Sequence, residues 1–152
     1  MTKRLAAELE GIRVEVPSNI PVMLIREIDD SRRVIPIYIG EAEASSISVA
    51  LSGVVPDRPL THDLMLNTIS EMGGEVVMVV VTDVKEHTYF ANIHIEVDGA
   101  ERVISARPSD AIALAVRAEV PVFVESDLMD KVGKAAVTAE ESDEEEILDD
   151  FR

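Results

Sequence analysis

Two runs of three short apolar segments, each closed by turn residues, restrict the folds open to this chain. In the first run, residues 11–16 alternate Ile12, Val14 and Val16 with Arg13 and Glu15. Residues 21–25 follow the turn Pro17-Ser18-Asn19, and residues 34–39 follow Asp29-Asp30-Ser31. In the second, residues 76–81 are unbroken apolar, residues 89–97 set Phe90, Ile93, Ile95 and Val97 among polar neighbours, and residues 102–106 return after Asp98-Gly99. Alternation with a period of two marks a half-buried strand, and a short continuous apolar run marks a buried one. Asp-Gly is a strong hairpin signal. Strands joined by such tight turns pair antiparallel. The pattern excludes a doubly wound nucleotide fold and predicts α+β, a mixed, largely antiparallel sheet with packed helices.

Helical segments fall between and after the strand runs. Gly40 ends the third strand, and residues 41–51 carry Ala42, Ala44, Ile47, Val49, Ala50 and Leu51 with small polar residues between, which reads as a helix. Residues 61–72 form a second helix, with Thr61 as the expected N-cap, Asp63 in the first turn and a core stripe of Leu64, Ile69 and Met72. Gly73-Gly74 stops it. Ser109 is the expected cap of a third helix over residues 110–118, whose middle, residues 111–116, is apolar all round and so buried on most sides. A short strand over residues 120–124 and a short helix over residues 128–132 complete the order βββ-α-α-βββ-α-β-α. Pro36 lacks an N–H and points to an edge strand or bulge.

With 152 residues the chain has the size of one domain. Residues 1–136 read as that domain and residues 137–152 as an acidic C-terminal tail. Ile147, Leu148 and Phe151 lie on one face of a helical turn within the tail, which reads either as a docking segment or as a solvated, solubilising one. There is no cysteine, so disulfides, thiolate metal sites and a cysteine nucleophile are excluded. No apolar run approaches the roughly 20 residues that span a bilayer, and Glu8 interrupts any signal-peptide-like stretch after Lys3 and Arg4. The expected location is cytoplasmic.

Fourteen Lys and Arg stand against 30 Asp and Glu, a formal charge of −16. Such a field repels polyanions at long range and argues against nonspecific coating of DNA. Any nucleic-acid contact must therefore be local, and with aromatics at 3% stacking platforms are scarce. Tyr38 and Phe90 read as packing residues, His87 as a solvated turn residue and His94 as part of a polar sheet face. Glycine-rich phosphate loops, a Gly-x-Ser-x-Gly elbow and His-Glu-x-x-His are all absent.

The informative local feature is a pair of helix starts, Arg58-Pro59-Leu60-Thr61-His62-Asp63 and Arg107-Pro108-Ser109-Asp110. Each sets Arg before Pro, then a hydroxyl, then an aspartate at the beginning of a helix. Proline keeps the preceding arginine out of helical geometry. An arginine fork beside free N–H groups can hold a phosphate. Asp63 and Asp110 can act as bases or hold a cation, and His62 can move a proton. The same residues can equally be structural, with each aspartate complementing a helix dipole and pairing with an arginine. Glu41 and Glu43, after Gly40, can join a metal cluster or simply favour their helix start.

The strings Ile35-Pro36-Ile37-Tyr38-Ile39-Gly40-Glu41-Ala42-Glu43-Ala44, Arg58-Pro59-Leu60-Thr61-His62-Asp63-Leu64 and Ser105-Ala106-Arg107-Pro108-Ser109-Asp110-Ala111-Ile112-Ala113-Leu114-Ala115, in that order, closely resemble the hallmark segments of the bifunctional nuclease family. Val120-Pro121-Val122-Phe123-Val124 resembles its closing strand. The resemblance covers roughly residues 9–132. It implies a compact α+β domain that self-associates as a homo-oligomer and cleaves RNA and DNA. Joined to the helix-start chemistry, it leads to a phosphodiesterase expectation. Arg58, Thr61, Arg107 and Ser109 would bind phosphate. Asp63, Asp110 and Glu41 would place a divalent ion such as Mg²⁺. His62, Asp63 and Asp110 would be catalytic, and His62 the proton shuttle. The acidic body points to a weak or local activity on short or single-stranded RNA or DNA. The rival expectations are a non-catalytic anion- or nucleotide-binding regulatory module and an oligomeric scaffold.

Overall fold

The computed structural model describes residues 3–135; the acidic tail and its Ile147, Leu148 and Phe151 lie outside the described residues. The elements are β1 (Arg4–Glu15), β2 (Ile20–Glu27), β3 (Val34–Tyr38), α1 (Glu41–Ser52), α2 (Thr61–Glu71), β4 (Gly74–Lys85), β5 (Thr88–Val97), β6 (Ala100–Ala106), α3 (Pro108–Ala118), β7 (Val122–Glu125) and α4 (Ser126–Val132). This is the expected order. All seven strands form one mixed sheet in the order β3-β2-β1-β7-β4-β5-β6. Only β4 and β7 pair parallel; every other pair is antiparallel. The fold is α+β.

Turn chemistry explains the two three-stranded meanders. Asp98 and Gly99 both take positive φ, the left-handed pair that matches the twist of a β5–β6 hairpin. β3 is an edge strand, which tolerates Pro36 opposite Leu24. β7 joins the meanders: it runs antiparallel to residues 4–7 of β1 and parallel to residues 79–81 of β4. That pairing requires β1 to begin at Arg4, seven residues before its alternating stretch, because only the longer strand reaches β7.

The core lies between the sheet and the helices. Met23, Ile25, Ile35, Val79, Val81, Ile93 and Val124 come from the sheet, and Ile47, Ile112 and Leu114 from α1 and α3. α3 packs against α1, α2, β4 and β5. Ala111 to Ala115 are all buried, as an all-apolar helix requires.

Three local expectations are corrected. The N-cap of α2 is Leu60, not Thr61, because the Asp63 carboxylate accepts the Leu60 N–H at 2.9 Å and closes the first turn. The N-cap of α3 is Arg107, with Pro108 as its first residue, and Ser109 lies buried inside the turn without a capping hydrogen bond. The stripe of α2 that faces inward is His62, Leu66 and Ile69, whereas Leu64 and Met72 (78% exposed) face outward. A polar residue occupies the first position of that stripe, and an apolar-periodicity reading passes over it.

Because Leu114 is fully buried, Leu114→Ala leaves a cavity that its neighbours fill only in part. The substitution is expected to lower the unfolding free energy by about 2–5 kcal/mol. Urea denaturation checks this, with the midpoint falling and the slope unchanged.

Candidate functional site

The two proline-introduced helix starts meet. His62, in the first turn of α2, and Asp110, in the first turn of α3, are joined by an Nε2···Oδ1 hydrogen bond of 2.9 Å. The other ring nitrogen, Nδ1, lies 2.6 Å from the Ser46 hydroxyl on α1. Arg117, near the end of α3, donates to Ser46 Oγ and Ser46 O, each at 3.1 Å, and to Asp63 Oδ1 at 2.9 Å. It also donates to the Ala113 carbonyl at 3.1 Å. At the opposite end Arg107 grips Asp110 through Nε at 2.8 Å and Nη2 at 3.2 Å, while Nη1 reaches Glu43 at 3.0 Å. The result is a continuous polar chain, Arg117–Ser46–His62–Asp110–Arg107, that ties α1, α2 and α3 together.

The donor and acceptor roles follow from this geometry. Asp110 is a carboxylate, so His62 Nε2 carries the proton between them. Ser46 Oγ accepts from Arg117 and has its own hydrogen free for Nδ1. Burial pushes the Asp110 carboxyl upward, but the bonds from Arg107 and His62 outweigh it and hold its pKa below the ordinary carboxylate value. Asp63 behaves alike: burial raises it, and the Leu60 N–H and the Arg117 guanidinium together lower it further than burial lifts it. The Arg107 pKa is raised, chiefly by its bond to Asp110.

Exposure changes along the chain. Arg117 is 7% exposed in its side chain and Arg107 64%. Arg107, with Ser109 and Glu43, opens onto a cleft of about 1040 Å³ between the end of β3, the β4–β5 turn, the starts of α1 and α3, and the end of α4. Gly40 lines the same cleft. A Cβ there would collide with the Glu43 carboxylate, so the missing side chain lets Glu43 fold back toward Arg107.

The expected site residues do not all take part. Arg58 lies exposed in the loop before α2, with no ion pair or side-chain hydrogen bond among the described residues. Thr61 is exposed at the first position of α2, and Glu41 is exposed at the start of α1. His62 and Asp110 are together. Asp63 stands on the far side of Ser46, held by Arg117.

Of the three carboxylates expected to place a divalent ion, Asp63 and Asp110 are already hydrogen-bonded at both oxygens, and Glu41 stands apart, exposed at the start of α1. Asp63 Oδ1 and Oδ2 accept from Arg117 and Leu60, and Asp110 Oδ1 and Oδ2 from His62 and Arg107. Among the described residues no group of three or more His, Asp and Glu side chains is gathered in a way that could hold a metal ion.

Sequence reasoning missed Ser46, Arg117, Lys131 and Lys134. Arg117 did leave a signal, as the first charged residue after an all-apolar helix core. The lysines join the cleft only because the Lys134 backbone bridges to Val34 and so brings the end of α4 to β3.

The bifunctional nuclease domain family model matches residues 23–136. The chain is 42% identical over 135 residues to an uncharacterized protein of Mycobacterium tuberculosis, covering 89% of this chain and 79% of that one. It is 31% identical over 107 residues to bifunctional nuclease 1 of Arabidopsis thaliana, covering 68% of this chain and 33% of the plant protein. It is also 31% identical over 122 residues to bifunctional nuclease 2 of Oryza sativa subsp. japonica, covering 78% and 38%. The chain belongs to the bifunctional nuclease domain family. It spans about a third of the plant relatives' length. No helix among the described residues is long and apolar enough to cross a membrane.

Two outcomes follow for stability. Arg117→Met leaves the half-buried Asp63 carboxylate with one partner fewer, and a loss of about 3–5 kcal/mol is expected in urea titrations. Asp63 and Asp110 have folded-state pKa values below their unfolded ones. They therefore stabilise the fold above about pH 3.9, and that contribution is lost as pH falls through the folded values. Thermal unfolding of the wild type between about pH 5 and 3 is expected to fall more steeply than that of Asp110→Asn.

Proposed function

We propose that the protein is a nuclease that hydrolyses phosphodiester bonds of RNA or DNA, with Arg107 as the residue that takes hold of the phosphate. The observation that supports this reading is the way Arg107 is held. A guanidinium has five N–H donors. Asp110 takes one from Nε and one from Nη2, and Glu43 takes one from Nη1. One donor on each terminal nitrogen remains, a pair that matches two phosphate oxygens. The first turn of α3 adds backbone N–H groups next to it. Two carboxylates fix the fork in advance, so little side-chain entropy is lost when a phosphate binds.

In this reading His62 and Asp110 are positioning residues. His62 is buried, with both nitrogens engaged, and acts by orienting Asp110, which in turn orients Arg107. Hydrolysis adds a water oxygen to phosphorus and breaks the bond to the leaving oxygen. The water loses one proton and the leaving oxygen gains one. Arg107 offsets the negative charge that builds on the phosphoryl oxygens in the transition state. No part of this sequence is assigned to a metal ion.

Purified protein is expected to cleave RNA or DNA oligonucleotides. Arg107→Ala is expected to slow cleavage by at least about a hundredfold, in line with the loss of one charge-stabilising donor group. Arg58→Ala should have a far smaller effect, although the two arginines look alike in sequence. The same assay in EDTA decides whether a divalent ion takes part. A folded wild type that cleaves neither polymer contradicts the enzyme reading and favours a binding module built on the same fork.

A further inference from the structure

The walls of the Arg107 cleft differ in composition from the rest of the molecule. Among its lining residues are three cations, Arg107, Lys131 and Lys134, against two carboxylates, Glu43 and Glu86. Over the whole chain acids outnumber bases by more than two to one. The chain has two tyrosines and no tryptophan, and both tyrosines, Tyr38 and Tyr89, line this cleft. Tyr89 is half-buried against the core, whereas Tyr38 is 42% exposed. Tyr38 is thus more open than the packing role expected of it requires.

The β4–β5 turn supplies a second, independent observation. Glu86 and His87 both take positive φ, at 49° and 66°. This two-residue geometry normally selects Asn-Gly or Asp-Gly, and residues with a full side chain pay roughly 1–2 kcal/mol each to adopt it. Glycine at either position would relieve the cost. Glu86 and His87 instead both line the cleft.

We infer that this cleft seats an unpaired nucleotide of a single-stranded nucleic acid, with the base against Tyr38 and the flanking phosphates on Arg107 and Lys131. The inference rests on the phosphodiesterase reading of Arg107 and names its substrate class. A volume of about 1040 Å³ stands at the top of the range of about 300–1,000 Å³ for ligand clefts, with room for a nucleotide and part of its neighbour. A base inside a duplex has its faces covered by stacking and cannot lie against a tyrosine without leaving the helix, whereas a single strand offers its bases freely. The acidic body repels a strand at long range, and Lys131, Lys134 and the remaining donors of Arg107 offset that repulsion locally.

The test is equilibrium binding of an end-labelled single-stranded oligonucleotide of roughly eight nucleotides, followed by fluorescence anisotropy, with cleavage of the same strand measured separately. Single-stranded probe is expected to bind more tightly than its duplex, and added salt to weaken binding. Tyr38→Ala is expected to weaken binding by about five- to a hundredfold, the cost of losing one stacking face. Tyr38→Phe should restore it. Lys131→Ala, at an exposed position, should weaken binding and flatten the salt dependence. Equal affinity for duplex and single strand, or wild-type affinity in both Tyr38→Ala and Lys131→Ala, overturns the inference. The two readings fail separately. A wild type that binds in this pattern but does not cleave overturns the nuclease reading alone. Cleavage that persists with binding unchanged in both variants overturns the nucleotide seat alone.

Discussion

The His62–Asp110 hydrogen bond is the contact on which the arrangement of the helices depends. Apolar burial holds α3 in the core, but it is nondirectional and leaves rotation and sliding of α1 and α2 only loosely fixed. The polar chain is directional. Ser46 and Arg117 are 71 residues apart in sequence, and His62 and Asp110 are 48 apart. All four are satisfied only when three helices take one mutual register. A slip of α2 by one residue would rotate position 62 by about 100° away from Asp110 and strand a half-buried carboxylate and a buried imidazole. Unpaired polar groups in such surroundings cost far more than a mispacked methyl group. The knot therefore selects the geometry that also delivers Arg107 to the cleft.

The same chain resolves an electrostatic conflict. A molecule of charge −16 is a poor partner for a polyanion. Arg107 is held by two carboxylates, which would seem to cancel it, yet they occupy only part of its donor set. Lys131 and Lys134 add positive charge at the same cleft.

Much of the fold could be read from the sequence because its punctuation is chemical. Asp98-Gly99, Gly40 and Gly73-Gly74 end elements for reasons that act within a few residues, and the element order followed from them. Boundaries set by distant partners could not be read that way. β1 begins at Arg4 only because β7 pairs with it. The α2 stripe was misassigned because its innermost position is a histidine, satisfied by residues on two other helices. The twin Arg-Pro starts do meet, through His62 and Asp110. They also suggested a symmetry that the fold breaks, because Arg58 stays on an exposed loop while Arg107 enters the cleft. Ser46, which helps complete the chain, carries no local pattern, and Arg117 only that of a charge after an apolar helix core; their roles exist only in three dimensions. Tyr38 reads as a packing residue in the sequence, yet it lines one cleft together with Tyr89.

The central claim is that the first turns of α2 and α3 are locked by a proton held on His62 Nε2. Imidazole ¹⁵N NMR of the folded protein, assigned through His62→Gln, tests this most directly. The account predicts that His62 keeps a proton on Nε2, protected from solvent exchange, and that Asp110→Asn alters its signal. A neutral ring with the proton on Nδ1, or an average of the two tautomers exchanging freely with water, would contradict it.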